Sequence, residues 1–185
     1  MDFDIREARG ADSRMLPLGS SMGNVVRHVN RLIQRDLGDR ISPLGLTLGQ
    51  WYALRTLWVA DGITQIEVAQ RSGIAGPAMV SAIRSLVDMG LVTREVDPGD
   101  RRKYVITLTE WGRALEAPAL QAAIDANVSA LEGIAEKDVQ VCLRVLRQVH
   151  RNLSMRQTHD PMMPEPSSMA ADTAERLPPK SIRSR

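Results

Sequence analysis

The 185-residue sequence has little cysteine, few aromatic residues, a small net charge and no long apolar run. Because Cys142 is the single cysteine, the chain cannot form an internal disulfide or a zinc site built from several cysteines. Aromatic residues make up 3% of the sequence, so the core must consist mainly of aliphatic residues and methionine. No apolar stretch approaches the roughly 20 residues that cross a bilayer.

The net charge of +2 neither requires nor excludes a nucleic-acid partner. A protein that coats nucleic acid is usually more basic, whereas a sequence-specific DNA-binding protein needs only local positive patches. The N-terminus, Met1–Asp4, is charged and lacks the apolar segment of a signal peptide. We therefore expect a cytoplasmic protein without membrane contact.

The motifs of common enzymes are missing from the sequence. It contains no glycine-rich phosphate loop, no nucleophile elbow and no histidine paired with a carboxylate at catalytic spacing. His28, His150 and His159 have no carboxylate or cysteine at metal-ligand spacing. The sequence thus predicts no enzyme, no catalytic residue, no metal site and no cofactor.

Two helices with narrow apolar stripes are predicted near the ends of the ordered region. The stripe of the first helix, about residues 18–38, consists of Leu18, Met22, Val25, Val29 and Leu32. The stripe of the last consists of Val139, Cys142, Leu146, Val149 and Leu153. Steps of three and four residues are typical of helices that pair along a seam, so each stripe needs a partner helix. On this basis Cys142 is predicted to be a buried structural thiol.

Capping signals divide the middle of the chain into shorter helices. Thr47 with Gln50 and Thr64 with Glu67 are capping boxes, which begin two of them. Gly76–Pro77 begins the next, because proline is tolerated at the start of a helix. Its core stripe is predicted to be Met79, Ile83 and Leu86. Trp51 is likewise assigned to the core.

A change of period after this helix predicts an antiparallel hairpin. Apolar and β-branched residues dominate 91–96 and 104–108, and Asp97–Asp100 has the composition of a turn. Thr109 caps a further helix, which Pro118 interrupts early. Two short capped helices followed by a hairpin are typical of a winged helix-turn-helix. In that fold the second helix enters a major groove about 12 Å wide, and the hairpin tip reaches the DNA backbone.

The hairpin carries the arginines that we predict to contact DNA. Arg101 and Arg102 lie at its turn, and guanidinium groups bind phosphates bidentately and enter narrow minor grooves. Asp97 and Asp100 are predicted to orient these arginines by ion pairing. Arg94, on the incoming strand, is predicted either to contact DNA or to form a structural ion pair.

The second helix of the pair offers few polar groups to DNA. Ser81, Arg84 and Ser85 are its predicted DNA-binding residues. The alternative for Arg84 is an ion pair with Asp88 one turn later. Ala78 and Val80 offer at most a contact with a thymine methyl group. We therefore expect the wing and DNA shape to carry an unusual share of binding.

These segments, in this order, resemble the MarR family of transcriptional regulators. The resemblance covers roughly residues 18–155 and is carried by Leu46–Trp51, Thr64–Arg71, Gly90–Arg94, Asp97–Arg102 and Leu108–Arg113. It implies a homodimer formed by the first helix and the last two. It also implies a repressor that binds a pseudo-palindromic double-stranded DNA operator and responds to a small aromatic or phenolic effector.

In this family the helix after Thr47 helps to wall the effector pocket. By resemblance, His28, Arg55 and Trp58 are the candidate effector-binding residues, and a carboxylate is the group we expect Arg55 to bind. The expected domains are a lead-in (1–17), a MarR-like domain (18–158) and a disordered tail (159–185). Within that domain we expect the winged helix-turn-helix at 46–108 and dimerisation helices at 18–38 and 109–155. The alternative is a winged-helix protein–protein interaction module that does not bind DNA.

Overall fold

A computed structural model describes residues 21–155 of the protein. Leu18, the predicted lead-in and the predicted tail lie outside the described residues. Two compact units are present, the first ending at Val139 and the second beginning at Gln140. Along the described residues the elements are α1 Met22–Ile41, α2 Leu48–Val59, β1 Ile63–Thr64, α3 Gln65–Ser72, α4 Gly76–Asp88, β2 Val92–Val96, β3 Tyr104–Leu108, α5 Glu110–Ala114, α6 Glu116–Ala130 and α7 Glu136–Ser154.

Helix α1 is longer at its C-terminal end than the sequence predicted. It continues through Gly38 to Ile41 because Leu37 and Ile41 are buried in the core, which outweighs the weak helix propensity of one glycine. Ser42–Leu44 then forms a single 3₁₀ turn that contains Pro43. The helix therefore extends beyond the predicted end near Gly38, but it ends before Ser42–Pro43 as predicted.

Both capping boxes are present in the structure. The Thr47 N–H donates to Gln50 Oε1 at 2.7 Å, and the Gln50 N–H donates to Thr47 Oγ1 at 3.4 Å. At α3, the equivalent bonds between Thr64 and Glu67 measure 2.9 and 3.3 Å. These reciprocal bonds satisfy backbone N–H groups that a helix N-terminus leaves free, so each box begins its helix where the sequence predicted.

The hairpin forms as predicted, and a third strand joins it. Strand β2 pairs antiparallel with β3, from Val92 opposite Leu108 to Val96 opposite Tyr104. Strand β1, only two residues long, pairs with the other edge of β3 and gives the order β1-β3-β2. This short strand attaches the start of α3 directly to the hairpin. The sequence did not predict it, because two residues are too few for an alternating pattern.

The helix after the wing is interrupted near its start. The Thr109 hydroxyl accepts a hydrogen bond from the Gly112 N–H at 3.1 Å and caps α5, as predicted. Helix α5 ends at Ala114 and α6 begins at Glu116, so Pro118 lies in the first turn of α6. Its missing N–H is tolerated there, because the first turn has no intrahelical acceptor for it.

The hydrophobic core of the first unit contains side chains from α1, α2, α3, α4 and the sheet. The largest fully buried side chains are Ile41, Leu54, Leu57, Val68, Met79, Ile83, Leu86, Val92 and Ile106. The predicted core positions of α4 are thus confirmed, and so is the burial of Trp51. Within residues 21–155, no helix is both long and apolar enough to cross a membrane.

The apolar stripes of α1 and α7 are largely uncovered in the single chain. On α1 the side chains of Met22, Val25, Val29 and Leu32 are exposed. On α7 none of the residues is buried, and Leu146 and Leu153 are exposed. Cys142 is exposed as well, so its predicted burial is wrong for the protomer.

Candidate nucleic-acid interface

Helix α4 has one buried face and one exposed face. Met79, Ile83 and Leu86 are fully buried, which fixes the orientation of the helix. The exposed side chains on the other faces include Pro77, Ala78, Val80, Ser81, Arg84 and Asp88. A helix that is anchored on one side and free on the other can enter a DNA major groove, provided that its exposed side chains match the base edges.

The three predicted DNA-binding residues of α4 differ in their surroundings. The Ser81 hydroxyl donates to the carbonyl of Pro77 at 3.3 Å and remains on the exposed surface. Arg84 is exposed, and its guanidinium forms no ion pair with Asp88 within the described part of the chain. Ser85 is half-buried, and its oxygen accepts a hydrogen bond from Gln50 Nε2 at 2.7 Å.

Gln50 is a buried polar residue that connects α2 to α4. Its side chain is only 4% exposed. The Oε1 atom accepts from the Thr47 N–H and the Thr47 hydroxyl, while Nε2 donates to Ser85 Oγ and lies 3.4 Å from Met89 Sδ. The side-chain amide therefore has partners on both ends. Because the Ser85 oxygen is an acceptor in this contact, its hydroxyl hydrogen is left to donate elsewhere. The sequence predicted the cap but not this bond across 35 positions.

The side chain of Asp97 stabilises the backbone of the wing turn and does not orient an arginine. Its Oδ1 accepts hydrogen bonds from the Gly99 N–H at 2.7 Å and the Asp100 N–H at 3.0 Å. This is the way an aspartate side chain stabilises a turn that follows it. The prediction that Asp97 pairs with an arginine is wrong, because within residues 21–155 Asp97 forms no ion pair and its side chain binds the turn backbone.

Asp100 pairs with the cations that follow it. Its Oδ1 accepts from the Arg102 N–H at 3.1 Å and from Arg102 Nε at 3.3 Å, and Lys103 Nζ lies 3.8 Å from Oδ2. The hydrogen bonds from Arg102 lower the pKa of the Asp100 carboxyl below its ordinary value, and the bond from the backbone N–H has a larger effect than the bond from the side chain. The side chain of Arg102 is nonetheless 91% exposed, and Arg101 is exposed beside it. This geometry agrees with the predicted orienting role of Asp100.

Arg94 connects the wing to α3. Its Nε donates to Gln65 Oε1 at 3.2 Å, and its guanidinium carbon lies 3.4 Å from the centre of the Tyr104 ring. Such stacking on an aromatic face is favourable for a guanidinium. Of the two predicted roles of Arg94, the ion pair is not formed among the described residues, where the structure shows a neutral hydrogen bond and a cation–π contact. DNA contact by Arg94 stays a prediction.

Asp61 ties the base of the wing to the start of α5. Its Oδ2 lies 2.6 Å from Arg113 Nη2, and its Oδ1 accepts from the Leu108 N–H at 2.9 Å. Beside this joint, a side chain at Gly112 would collide with the carbonyl oxygen of Leu91. Only glycine fits this close approach, which accounts for the Gly112–Arg113 dipeptide in the sequence.

The candidate effector residues differ in their surroundings. Arg55 and Trp58 lie half-buried on α2, whereas His28 is exposed on α1, where its Nε2 lies 3.4 Å from Arg27 Nη2. The Trp58 indole N–H donates to the Gly112 carbonyl at 3.0 Å, and its ring meets Trp51 edge-on with ring centres 5.6 Å apart. Trp58 therefore has a structural role in this packing.

Comparison with known proteins assigns the chain to a family. The model of the MarR family matches residues 44–103. An HTH-type transcriptional repressor from Mycobacterium tuberculosis is 34% identical over 111 residues, which cover 59% of this chain and 80% of that protein. The chain belongs to the MarR family. The resemblance inferred from the sequence is thereby confirmed.

Solved structures of MarR-family proteins share the fold. The transcriptional repressor CouR bound to a 23-mer DNA duplex matches with a TM-score of 0.67 and 26% identity, covering 76% of this chain and 99% of CouR. CouR from Rhodococcus jostii RHA1 bound to p-coumaroyl-CoA matches with a TM-score of 0.64 and 24% identity, covering 73% and 95%. These matches confirm the mainly helical winged helix-turn-helix fold.

The family assignment also fixes the broad class of function. MarR-family proteins are transcriptional regulators rather than enzymes. The alternative was a protein–protein interaction module without DNA binding. It is not favoured, because a structural neighbour with this fold is bound to DNA.

Proposed function

We propose that this MarR-family protein is a repressor that binds a pseudo-palindromic DNA operator as a homodimer in the cytoplasm. The observation that carries the proposal is a wing tip with two exposed arginines, beside a helix-turn-helix whose second helix has a free outer face. The DNA-bound neighbour CouR supports the same use of the fold.

The proposed DNA contacts fall into two groups. Arg101 and Arg102 bind phosphates or enter the minor groove from the wing, while Ser81 and Arg84 face the major groove from α4. Ser85 acts as a hydrogen-bond donor, because its oxygen already accepts from Gln50. Arg94 contributes to DNA binding by positioning the wing through its contacts with Gln65 and Tyr104. Its positive charge also adds to the positive electrostatic potential at the wing.

The homodimer is proposed from the apolar stripes of α1 and α7. Both stripes expose aliphatic side chains that a soluble monomer would normally cover. A dimer that pairs these helices presents two reading heads, which must lie about 34–36 Å apart to meet successive major grooves. A small relative rotation of the heads is then enough to end binding.

A small aromatic or phenolic effector is proposed as the agent of that rotation. The p-coumaroyl-CoA bound to CouR supports an aromatic ligand class, and His28, Arg55 and Trp58 remain the candidate contacts. Thermal-shift measurements with aromatic carboxylates test this part. A ligand that stabilises the protein and weakens its binding to DNA is expected, and an effect that Arg55→Gln abolishes would assign the carboxylate site.

The DNA-binding proposal is tested by selection from a random duplex pool with the full chain. We expect enrichment of an inverted repeat whose half-sites are one helical turn apart, bound with one dimer per duplex. Failure to enrich any sequence over several rounds, with a folded protein, would contradict the proposal.

A further inference from the structure

An apolar depression lies between α3 and α4 on the helix-turn-helix. Its volume is about 400 Å³. The lining residues are Gln65, Ile66, Ala69, Gln70, Ile74, Gly76 and Val80. Ile66 is 58% exposed and Val80 44% exposed, so both aliphatic side chains open to solvent rather than into the core. The core stripe of α4 lies on another face of the helix, so core packing does not account for the presence of aliphatic side chains at Ile66 and Val80.

The position of this depression limits what can occupy it. It borders the N-terminal half of α4, and N-terminal residues of the second helix are those that meet base edges in helix-turn-helix proteins. That half of α4 contains Gly76, Pro77, Ala78 and Val80, none of which has a hydrogen-bonding side chain. The first side chain able to form such a bond is that of Ser81.

The major groove presents a single kind of apolar group at the base edges. Guanine, cytosine and adenine present hydrogen-bond donors and acceptors there and no alkyl group, whereas thymine adds its C5-methyl group. Placing Val80 and Ile66 against the other bases would bury polar edges without partners, which costs free energy. An aliphatic surface in this position therefore discriminates in favour of thymine.

We infer that the depression bounded by Ile66, Ile74 and Val80 is a specificity site for thymine methyl groups in each operator half-site. The inference rests on the proposed function, since it requires α4 to enter the major groove. In this inference, aliphatic side chains of α3 and α4 distinguish one operator sequence from another. The wing arginines contribute affinity that does not depend on the DNA sequence.

The test replaces thymine by uracil, which removes only the methyl group. The full chain is titrated against its selected duplex and against duplexes with single uracil substitutions across one half-site. At one or two positions we expect binding about fourfold weaker, which corresponds to about 0.8 kcal/mol for one buried methyl group. Substitution in both half-sites should weaken a dimer's binding about sixteenfold.

Protein variants show whether the depression is responsible. Val80→Ala should reduce the uracil effect to less than twofold, because the aliphatic surface against the methyl group becomes smaller. Val87→Ala is the matched control: Val87 is exposed on the same helix but does not line the depression, so the fourfold effect should persist. Thermal unfolding of each variant verifies that it is folded.

Two outcomes would overturn the inference in distinguishable ways. Sequence-specific binding that is insensitive to every uracil substitution, or a uracil effect that survives Val80→Ala unchanged, would overturn this inference alone. Absence of binding to any duplex would overturn the proposed function as well and would favour a protein partner for the apolar surface.

Discussion

Asp97 and Asp100 of the wing have different roles, although both precede the same arginines. Asp97 accepts two backbone N–H groups of the turn, while Asp100 pairs with Arg102 and Lys103. The first shapes the loop and the second restrains the side chain that is offered to DNA. Each of these aspartates, although its charge is unfavourable beside a polyanion, orders the residues next to it.

Removing the Asp97 side chain should weaken DNA binding with little effect on global stability. In Asp97→Ala the turn loses two hydrogen bonds, each worth about 0.5–1.5 kcal/mol, and the wing becomes less ordered. Asp97→Asn keeps an oxygen acceptor and serves as the control. Anisotropy titrations should show weaker binding for the alanine variant and nearly unchanged binding for asparagine. Equal loss in both variants would point to the charge instead of the turn.

Glu67 makes part of the stability dependent on pH. Hydrogen bonds from the Thr64 hydroxyl and backbone lower the pKa of Glu67 below its ordinary value of 4.5, with smaller contributions from Arg71 and Lys103. A lowered pKa in the folded state means that the ionised cap stabilises the fold above pH 4.5. That contribution is lost as the pH falls through the folded-state pKa.

Glu67→Gln tests this contribution, because glutamine preserves the capping box without the charge. Thermal unfolding should find the wild type more stable at pH 7 and the difference shrinking as the pH falls below 4.5. A difference that stays constant across this range would show that ionisation of Glu67 does not matter.

The wing and α3 are joined as one element. Strand β1 pairs with β3, and Arg94 bonds to Gln65 while stacking on Tyr104. The hairpin therefore depends on the start of α3 for its position. This arrangement predicts that Arg94 acts mainly by positioning the wing.

A double-mutant cycle separates positioning from direct DNA contact. Arg94→Ala and Gln65→Ala should each weaken DNA binding, and together they should be less than additive, because both break one contact. Hydrogen exchange at wing amides should rise in either variant without DNA. Additive effects, with unchanged exchange, would indicate that Arg94 binds DNA independently.

Local signals made most elements predictable from the sequence. Thr47 with Gln50 and Thr64 with Glu67 act over three residues, so their helix starts were predicted correctly. The end of α1 was not predicted correctly, because the helix extends to Ile41, which is buried in the tertiary structure. The Gln50–Ser85 and Arg94–Gln65 hydrogen bonds join residues far apart in the sequence, so no local sequence pattern predicts them. The exposure of Cys142 likewise depends on packing that periodicity alone does not specify.

The complete molecule is proposed to be a dimer held by α1 and α7. Val29→Arg places a charge in the exposed stripe of α1 and should convert the protein to a monomer in sedimentation equilibrium. Arg31→Ala, an exposed change on the same helix, should leave the dimer intact. Loss of the dimer should also reduce operator affinity strongly, since one head makes half the contacts. A dimer that persists in Val29→Arg would assign the interface to other residues.

The salt dependence of DNA binding tests most directly whether the wing grips DNA. Operator affinity is measured over a salt series for the wild type, for the double variant Arg101→Ala/Arg102→Ala, and for Lys137→Ala, which removes an exposed cation outside the winged helix. The slope of log affinity against log salt is negative, and each lost phosphate contact reduces its magnitude by about 0.9. For the double variant of a dimer we predict weaker binding and a slope whose magnitude is smaller by about 2 to 4, and for Lys137→Ala we predict no change. Wild-type affinity and slope in the double variant would contradict the central claim.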